Sequence, residues 1–258
     1  MSDSASRSQR SIIDPEGFQD SDWASINDFF KQHPYALFLH KGFRISVAKY
    51  RAKKADLRDQ WAGSTDRLVD FAIDYNTGNM DKFIESHVVR LLRPLSVIDP
   101  VYDRAGDLSL LSVGPRNENE LFHLLALGFN IENINAIDLI SNSPLVQVAD
   151  MHDMPFDDNR FDVAVSGWTL PYSKDPKRAL EEHVRVLKPG GLLCIGLTRI
   201  PPDHADALKL EEADARNYLS ADEVLEDIGP AVTDVVYRHD PVDPASKGGI
   251  MLIVRVKQ

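Results

Sequence analysis

Apolar positions along the chain change their period near residue 105. Between Trp23 and about Val101 they recur at helical spacing. Trp23, Ile26, Phe29 and Phe30 share one face, as do Leu68, Phe71 and Ala72. Phe83, Val88, Leu91 and Leu92 predict a third helix that stops before Pro94. From Leu108 onward, short apolar runs alternate with amphipathic stretches. The runs 108–113, 134–139, 145–149, 161–166 and 192–197 predict five strands. The stretches 118–127, ended by Gly128, and 175–187 predict helices between them. Such alternation builds a parallel sheet covered on both faces. Two late runs, 232–237 and 250–256, are separated by a loop rich in Pro and Gly and predict an antiparallel pair at the sheet edge. The expected fold is therefore α/β, a Rossmann-like doubly wound sheet, mostly parallel with an antiparallel C-terminal pair, preceded by a helical cap. The expected organisation is a polar, Ser-rich disordered tail over 1–20, a helical region over 21–105 that shapes a substrate pocket, and the α/β domain over 106–258. The segment after Arg199 reads as a polar loop around Pro201 and Pro202.

Composition narrows the function classes. No apolar run approaches the ~20 residues needed to span a bilayer, and the polar N-terminus has no apolar core of a secretory signal. No membrane association is expected. A single cysteine, Cys194, excludes an intrachain disulfide and suits a cytoplasmic setting. The net charge of −11 disfavours a nucleic-acid partner. One basic stretch runs against that average: Lys41, Arg44, Lys49, Arg51, Lys53, Lys54 and Arg58. It reads as the solvated face of a helix or as a dock for an anionic group. The apolar N-terminal helices could also pack against a second copy, so a homo-oligomer stays open.

Ligands of open parallel sheets bind at the carboxyl ends of the strands. The first strand ends in Ser112-Val113-Gly114-Pro115-Arg116, and Gly114 sits where the chain must turn sharply. Asn117, with Glu120 three residues on, has the pattern of a capping box. The second strand ends in Asp138-Leu139, and a carboxylate there can accept both hydroxyls of an adenosine ribose. After the third strand, Asp150 can accept from the adenine amine and Met151 can cover the ring. The fourth strand leads into Ser166-Gly167-Trp168, and the helix over 175–187 has Asp175 at its N-cap and Pro176 at its first position.

Together, Asp150, Pro155-Phe156, Phe161-Asp162 and the run Arg185-Val186-Leu187-Lys188-Pro189-Gly190-Gly191 resemble the class I S-adenosylmethionine-dependent methyltransferases, especially the group acting on small molecules. The resemblance covers about the middle third of the chain. It implies S-adenosyl-L-methionine as cofactor and a small-molecule acceptor, a polar metabolite or sugar methylated on O or N. It implies that Ser112, Gly114, Pro115 and Arg116 approach the methionine part, Asp138 and Leu139 the ribose, and Asp150 and Met151 the adenine. Gly167 and Trp168 would lie near the sulfonium. The first motif departs from the family: Ser112, Arg116 and Glu118 stand where an acid and two glycines are usual. Glu118 or Glu120 would then supply the missing acid, and Arg116 would pair with the cofactor carboxylate. His152 and Tyr172 are the candidate catalytic bases, with His204 a third and His183 discounted as outward-facing. No metal is called for. A nicotinamide-dependent oxidoreductase or epimerase, and a non-catalytic binding protein of the same fold, remain alternatives.

Overall fold

The computed structural model describes residues 17–53, 67–85, 89–141, 143–243 and 245–257. Most of the predicted tail, together with Lys54, Arg58 and Val88 and the side chains of Ala72 and Phe83, lies outside them.

Ten α-helices and seven strands are described. The helices are α1 (Asp20–Gln32), α2 (Lys41–Ala52), α3 (Arg67–Gly78), α4 (Met80–Glu85), α5 (Val89–Leu95), α6 (Val101–Arg104), α7 (Asn119–Ala126), α8 (Pro176–Val186), α9 (Ala205–Glu212) and α10 (Ala221–Ile228). The strands are β1 (Leu110–Val113), β2 (Ile134–Asp138), β3 (Gln147–Val148), β4 (Phe161–Gly167), β5 (Leu187–Arg199), β6 (Val232–His239) and β7 (Gly248–Val256). They form one sheet in the order β3-β2-β1-β4-β5-β7-β6. All pairs are parallel except those made by β7, which runs antiparallel to β5 and β6. The expected fold class holds, including the antiparallel C-terminal pair.

Strand alternation divides the core into two layers. Leu111, Val113, Ala164, Leu193 and Ile195 point to one face, packed under Ala179, Leu180 and Val186 of α8 and Val224 and Ile228 of α10. Leu110, Val163, Val165, Leu192 and Cys194 point to the other, packed under α7 and under Leu91, Leu92 and Leu95 of α5. The N-terminal helices thus share a core with the sheet through α5. The aromatic face predicted on α1 forms a helix but buries none of its residues, and Trp23 and Phe29 stay exposed.

Local chemistry explains the helix ends. Asp175 caps α8 by accepting from the Arg178 N–H at 3.0 Å, with Pro176 at its first position. Gly128 follows α7 at φ +98. Other expectations are corrected. Pro94 lies inside α5 rather than beyond it, in the last turn of a short helix. The segment after Arg199 is not all loop. It holds α9, N-capped by His204 through the Asp206 N–H at 3.1 Å, and it leads to α10, N-capped by Ser220. His183 is fully buried, its Nδ1 2.6 Å from the Ala179 carbonyl, and burial depresses its pKa to about 4. It is a neutral core histidine. In the basic stretch, Lys49 pairs with Glu85, Arg51 with Glu118, and Arg44 is buried against the Phe38 carbonyl. Among the described residues no helix is long and apolar enough to cross a membrane.

Candidate functional site

From β1 the chain runs outward to β2 and β3 on one side, then crosses back from β3 to β4 on the other side of β1. The loops leaving these strands therefore diverge and leave a crevice at their carboxyl ends. Two cavities open there. One, of about 650 Å³, is lined by residues including Gly114, Pro115, Glu120, Gly167 and Trp168. The other, of about 60 Å³, is lined by residues including Ile137, Asp138, Leu139, Ala149, Met151 and Thr169. Gly114, Arg116, Trp168 and Tyr172 line both.

The turn after β1 is set by contacts on either side. Gly114 has φ +70, and its N–H donates to the Ile137 carbonyl at 2.8 Å. A Cβ at this position would lie 2.5 Å from the Thr169 side chain, which itself donates to the Val113 carbonyl at 3.2 Å. The glycine is thus required by the approach of the loop after β4. Arg116 follows at φ +62, costly for a residue with a Cβ. Its N–H donates to Asp138 Oδ2 at 2.9 Å, which ties the turn to the end of β2. Burial pushes the Asp138 carboxyl up from its ordinary range, against the backbone N–H groups of Arg116, Ile140 and Leu139 that favour its charge.

The expected capping box does not form. Helix α7 begins at Asn119, whose N–H is taken by Asn117 Oδ1 at 2.8 Å. Glu120 turns inward instead, accepts from the Ser112 hydroxyl at 2.6 Å, and lines the larger cavity. Only 2% exposed, it is pushed up to about 7 by burial, opposed by the Ser112 hydrogen bond and the Arg116 charge. Glu118 goes the other way, to Arg51 and the Ser143 hydroxyl. Ser112 is itself fully buried and lines neither cavity; its hydroxyl holds Glu120.

At the end of β4, Trp168 also has φ +62. Its backbone N–H donates to the Gly196 carbonyl at 2.6 Å and its indole N–H to Thr198 Oγ1 at 2.8 Å, while the Arg90 guanidinium lies 4.4 Å above the ring. These contacts fix the indole as a rigid wall. Tyr172 packs against Phe71, ring centroids 6.1 Å apart, and burial raises its phenol above the ordinary value. It stays protonated near neutrality, which suits a hydrogen-bond donor better than a base.

The structure therefore brings together Gly114, Pro115, Arg116, Asp138, Leu139, Met151, Gly167, Trp168 and Tyr172 of the residues expected at the site. It sets three others apart. Besides Ser112, Asp150 and His152 line neither cavity: His152 is held between Asp150 through Nδ1 and Ser173 Oγ through Nε2, the latter at 2.6 Å. A ring bonded at both nitrogens outside the cavities is placed to brace the loop after β3. His204 is spent as the cap of α9. Sequence reasoning missed Thr169 in the smaller cavity and, in the larger, Thr198 and the cations Lys82, Arg90, Arg93 and Lys247.

Comparison with known proteins now bears on this geometry. Residues 122–195 match the family described as a methyltransferase domain. A 2-phytyl-1,4-naphtoquinone methyltransferase of Nostoc punctiforme is 51% identical over 47 residues, 18% of this chain and 20% of that protein. A malonyl-[acyl-carrier protein] O-methyltransferase of Coxiella burnetii is 28% identical over 162 residues, 63% of this chain and 53% of that protein. The chain thus spans from about a fifth to about half of the length of these curated relatives. A chain from the Haloferax volcanii complex of the Trm112 methyltransferase activator superposes with a TM-score of 0.56 at 18% identity, covering 76% of this chain and 98% of that one. Residues 122–195 thus match a methyltransferase domain, and the chain has the Rossmann-like fold seen in the class I methyltransferases.

Proposed function

We propose that the protein is an S-adenosyl-L-methionine-dependent methyltransferase acting on a small-molecule acceptor. The observation that carries this reading is the pair of adjoining cavities at the switch point of the sheet. One holds the Asp138 carboxyl and the other the Glu120 carboxyl, with Gly114, Arg116, Trp168 and Tyr172 common to both. The residues fit the cofactor's chemistry. Asp138 stands where ribose hydroxyls would donate, and Leu139, Ala149 and Met151 offer an apolar slot to a purine. Glu120, buried and pushed towards neutrality, is a carboxyl that a nearby ammonium would restore to its charged form. Arg116 can fork onto a carboxylate. The cofactor would supply an electrophilic methyl on a sulfonium, which departs as a neutral thioether, and an acceptor that carries a proton would release it to solvent after the transfer.

The chain's own residues orient and exclude. Trp168, locked by Thr198 and Gly196, closes one wall and keeps water from the reacting face. Tyr172 donates from its protonated phenol and so orients an acceptor oxygen, whose second lone pair stays free to take the methyl. No base is required of His152 in this arrangement. The acceptor is read as a small molecule methylated on O or N. Relatives named as quinone methyltransferases and as an O-methyltransferase are compatible with acceptors of more than one kind.

Glu120 gives the reading a signature. Its carboxyl is neutral in the free protein below about pH 7 and must lose that proton to hold an ammonium. Affinity for S-adenosylhomocysteine should therefore rise with pH between the ordinary carboxylate range and about 7, approaching tenfold per pH unit at its steepest. The groups facing Glu120 are Ser112, Arg116, Asp138 and Cys194; Asp138 would act in the same direction. Glu120→Gln separates the two: it should weaken binding roughly 10-fold at pH 8 and flatten the slope. A slope unchanged in Glu120→Gln would remove Glu120 from the ammonium site.

A further inference from the structure

The larger cavity carries a charge opposite to that of the chain. The protein has 40 acidic and 29 basic residues, yet Lys82, Arg90, Arg93, Arg116 and Lys247 line this cavity against a single carboxylate, Glu120. Two of these cations have other work. Arg116 belongs to the turn after β1, and Lys247 pairs with Asp206 at 2.8 Å. The other three, Lys82 on α4 and Arg90 and Arg93 on α5, come from elements far in sequence from the cofactor loops. Among the described residues neither Lys82 nor Arg93 has a carboxylate partner. The Arg90 guanidinium carbon lies 4.4 Å from the Trp168 ring centroid, and a guanidinium held by that cation–π contact keeps N–H groups for an anion. Like charges gathered at one wall repel each other, and an anion between them relieves that repulsion. Beside them, Trp168, Pro171, Ile200 and Leu210 supply apolar surface.

We propose that the methyl acceptor is a small amphipathic anion, its carboxylate or phosphate held by Lys82, Arg90 and Arg93 and its apolar body against Trp168, Ile200 and Leu210. The proposal rests on the methyltransferase reading of the same site. It explains why an acidic protein concentrates cations here: they select the acceptor and set its apolar part against the wall that adjoins the cofactor end. The charge comes from α4 and α5, so the N-terminal helices hold specificity while the sheet loops hold the cofactor.

The test uses the full chain saturated with S-adenosylhomocysteine and titrated with three probes: phenyl phosphate, benzoate and uncharged phenol. The charged probes are expected to bind on the order of tenfold more tightly than phenol. The double variant K82Q/R93Q, whose sites are exposed on the described surface, should lose that advantage while keeping its melting temperature and its affinity for S-adenosylhomocysteine. Equal binding of phenol and phenyl phosphate, no binding of either charged probe, or unchanged phenyl phosphate binding by the double variant would overturn the proposal. Failure of the cofactor reading shows separately, as absent S-adenosylhomocysteine binding. The same probes titrated into cofactor-free protein then decide the anion site alone.

Discussion

Arg185→Ala is expected to lower the stability of the fold by about 1–3 kcal/mol, the cost of removing charge-assisted bonds from a buried carboxylate that keeps only the Arg178 guanidinium, 3.1 Å away, as its cationic partner. Glu182 is only 2% exposed, and Arg185 grips it with two parallel bonds, Nε to Oε1 at 2.8 Å and Nη2 to Oε2 at 2.7 Å. The same guanidinium donates to the Met154 carbonyl at 3.0 Å, the Phe156 carbonyl at 2.8 Å and Asp158 at 2.7 Å. Glu182 in turn accepts from the Met154 N–H at 2.9 Å. The pair therefore clamps the 154–158 loop onto α8. Each kcal/mol moves the melting temperature of a chain this size by about 2–4 °C, so a thermal melt resolves the effect easily. Adding Glu182→Gln to Arg185→Ala should recover part of the loss, because the buried charge goes with its partner. A single variant melting within a degree or two of wild type would mean that the loop is held by packing alone.

Asp138→Ala is expected to weaken binding of S-adenosylhomocysteine by about 1–3 kcal/mol, a loss of roughly 5- to 150-fold. Two effects add. Ribose hydroxyls lose their acceptor, and the Arg116 N–H loses the bond that holds the turn at φ +62. Asp138→Asn keeps the shape and one acceptor oxygen and should fall between the two. Melting curves run alongside separate a lost ligand contact from a lost fold. Unaltered binding by Asp138→Ala would take this carboxyl out of the site.

The strand–helix rhythm made the sheet legible because β1, β2 and β4 are short, largely apolar and flanked by turn residues, whereas β3 keeps only the exposed pair Gln147–Val148 of its expected run. Residue chemistry made Asp138 and Gly114 legible for the same reason: topology alone places the ends of β1 and β2 at the crevice. The run from Arg185 to Gly191 lies within the segment that matches a methyltransferase domain, but none of it lines either cavity. Arg185 clamps a loop, Gly190 turns at φ +78, and a Cβ on Gly191 would lie 2.8 Å from the Lys188 carbonyl. A family mark can thus record what the fold needs rather than what the ligand touches.

What the sequence concealed was long-range. Asn117 and Glu120 satisfied a local capping rule, and nothing local revealed that Ser112, on the neighbouring strand, offers Glu120 a better partner inside the core. The serine where the family keeps an acid had already pointed to Glu118 or Glu120, and of the two it is Glu120 that bonds Ser112 and lines the larger cavity. Likewise Ser220 and Glu223 carry the spacing of a capping box that announces α10, overlooked because the preceding segment read as polar loop. The cavity cations on α4 and α5 share no period with the sheet loops, so only the packing of α5 against the sheet brings them to the site. His152 followed the opposite course: its sequence position beside Asp150 suggested catalysis, and its two bonds turn it into a brace.

Calorimetric titration of the purified protein with S-adenosylhomocysteine, S-adenosyl-L-methionine and NAD, in separate runs, tests the central claim most directly. The account predicts saturable one-to-one binding of both adenosyl compounds and none of NAD. Binding of NAD alone would contradict it and restore the oxidoreductase reading, and binding of none of the three would leave a protein with the methyltransferase fold but not its chemistry.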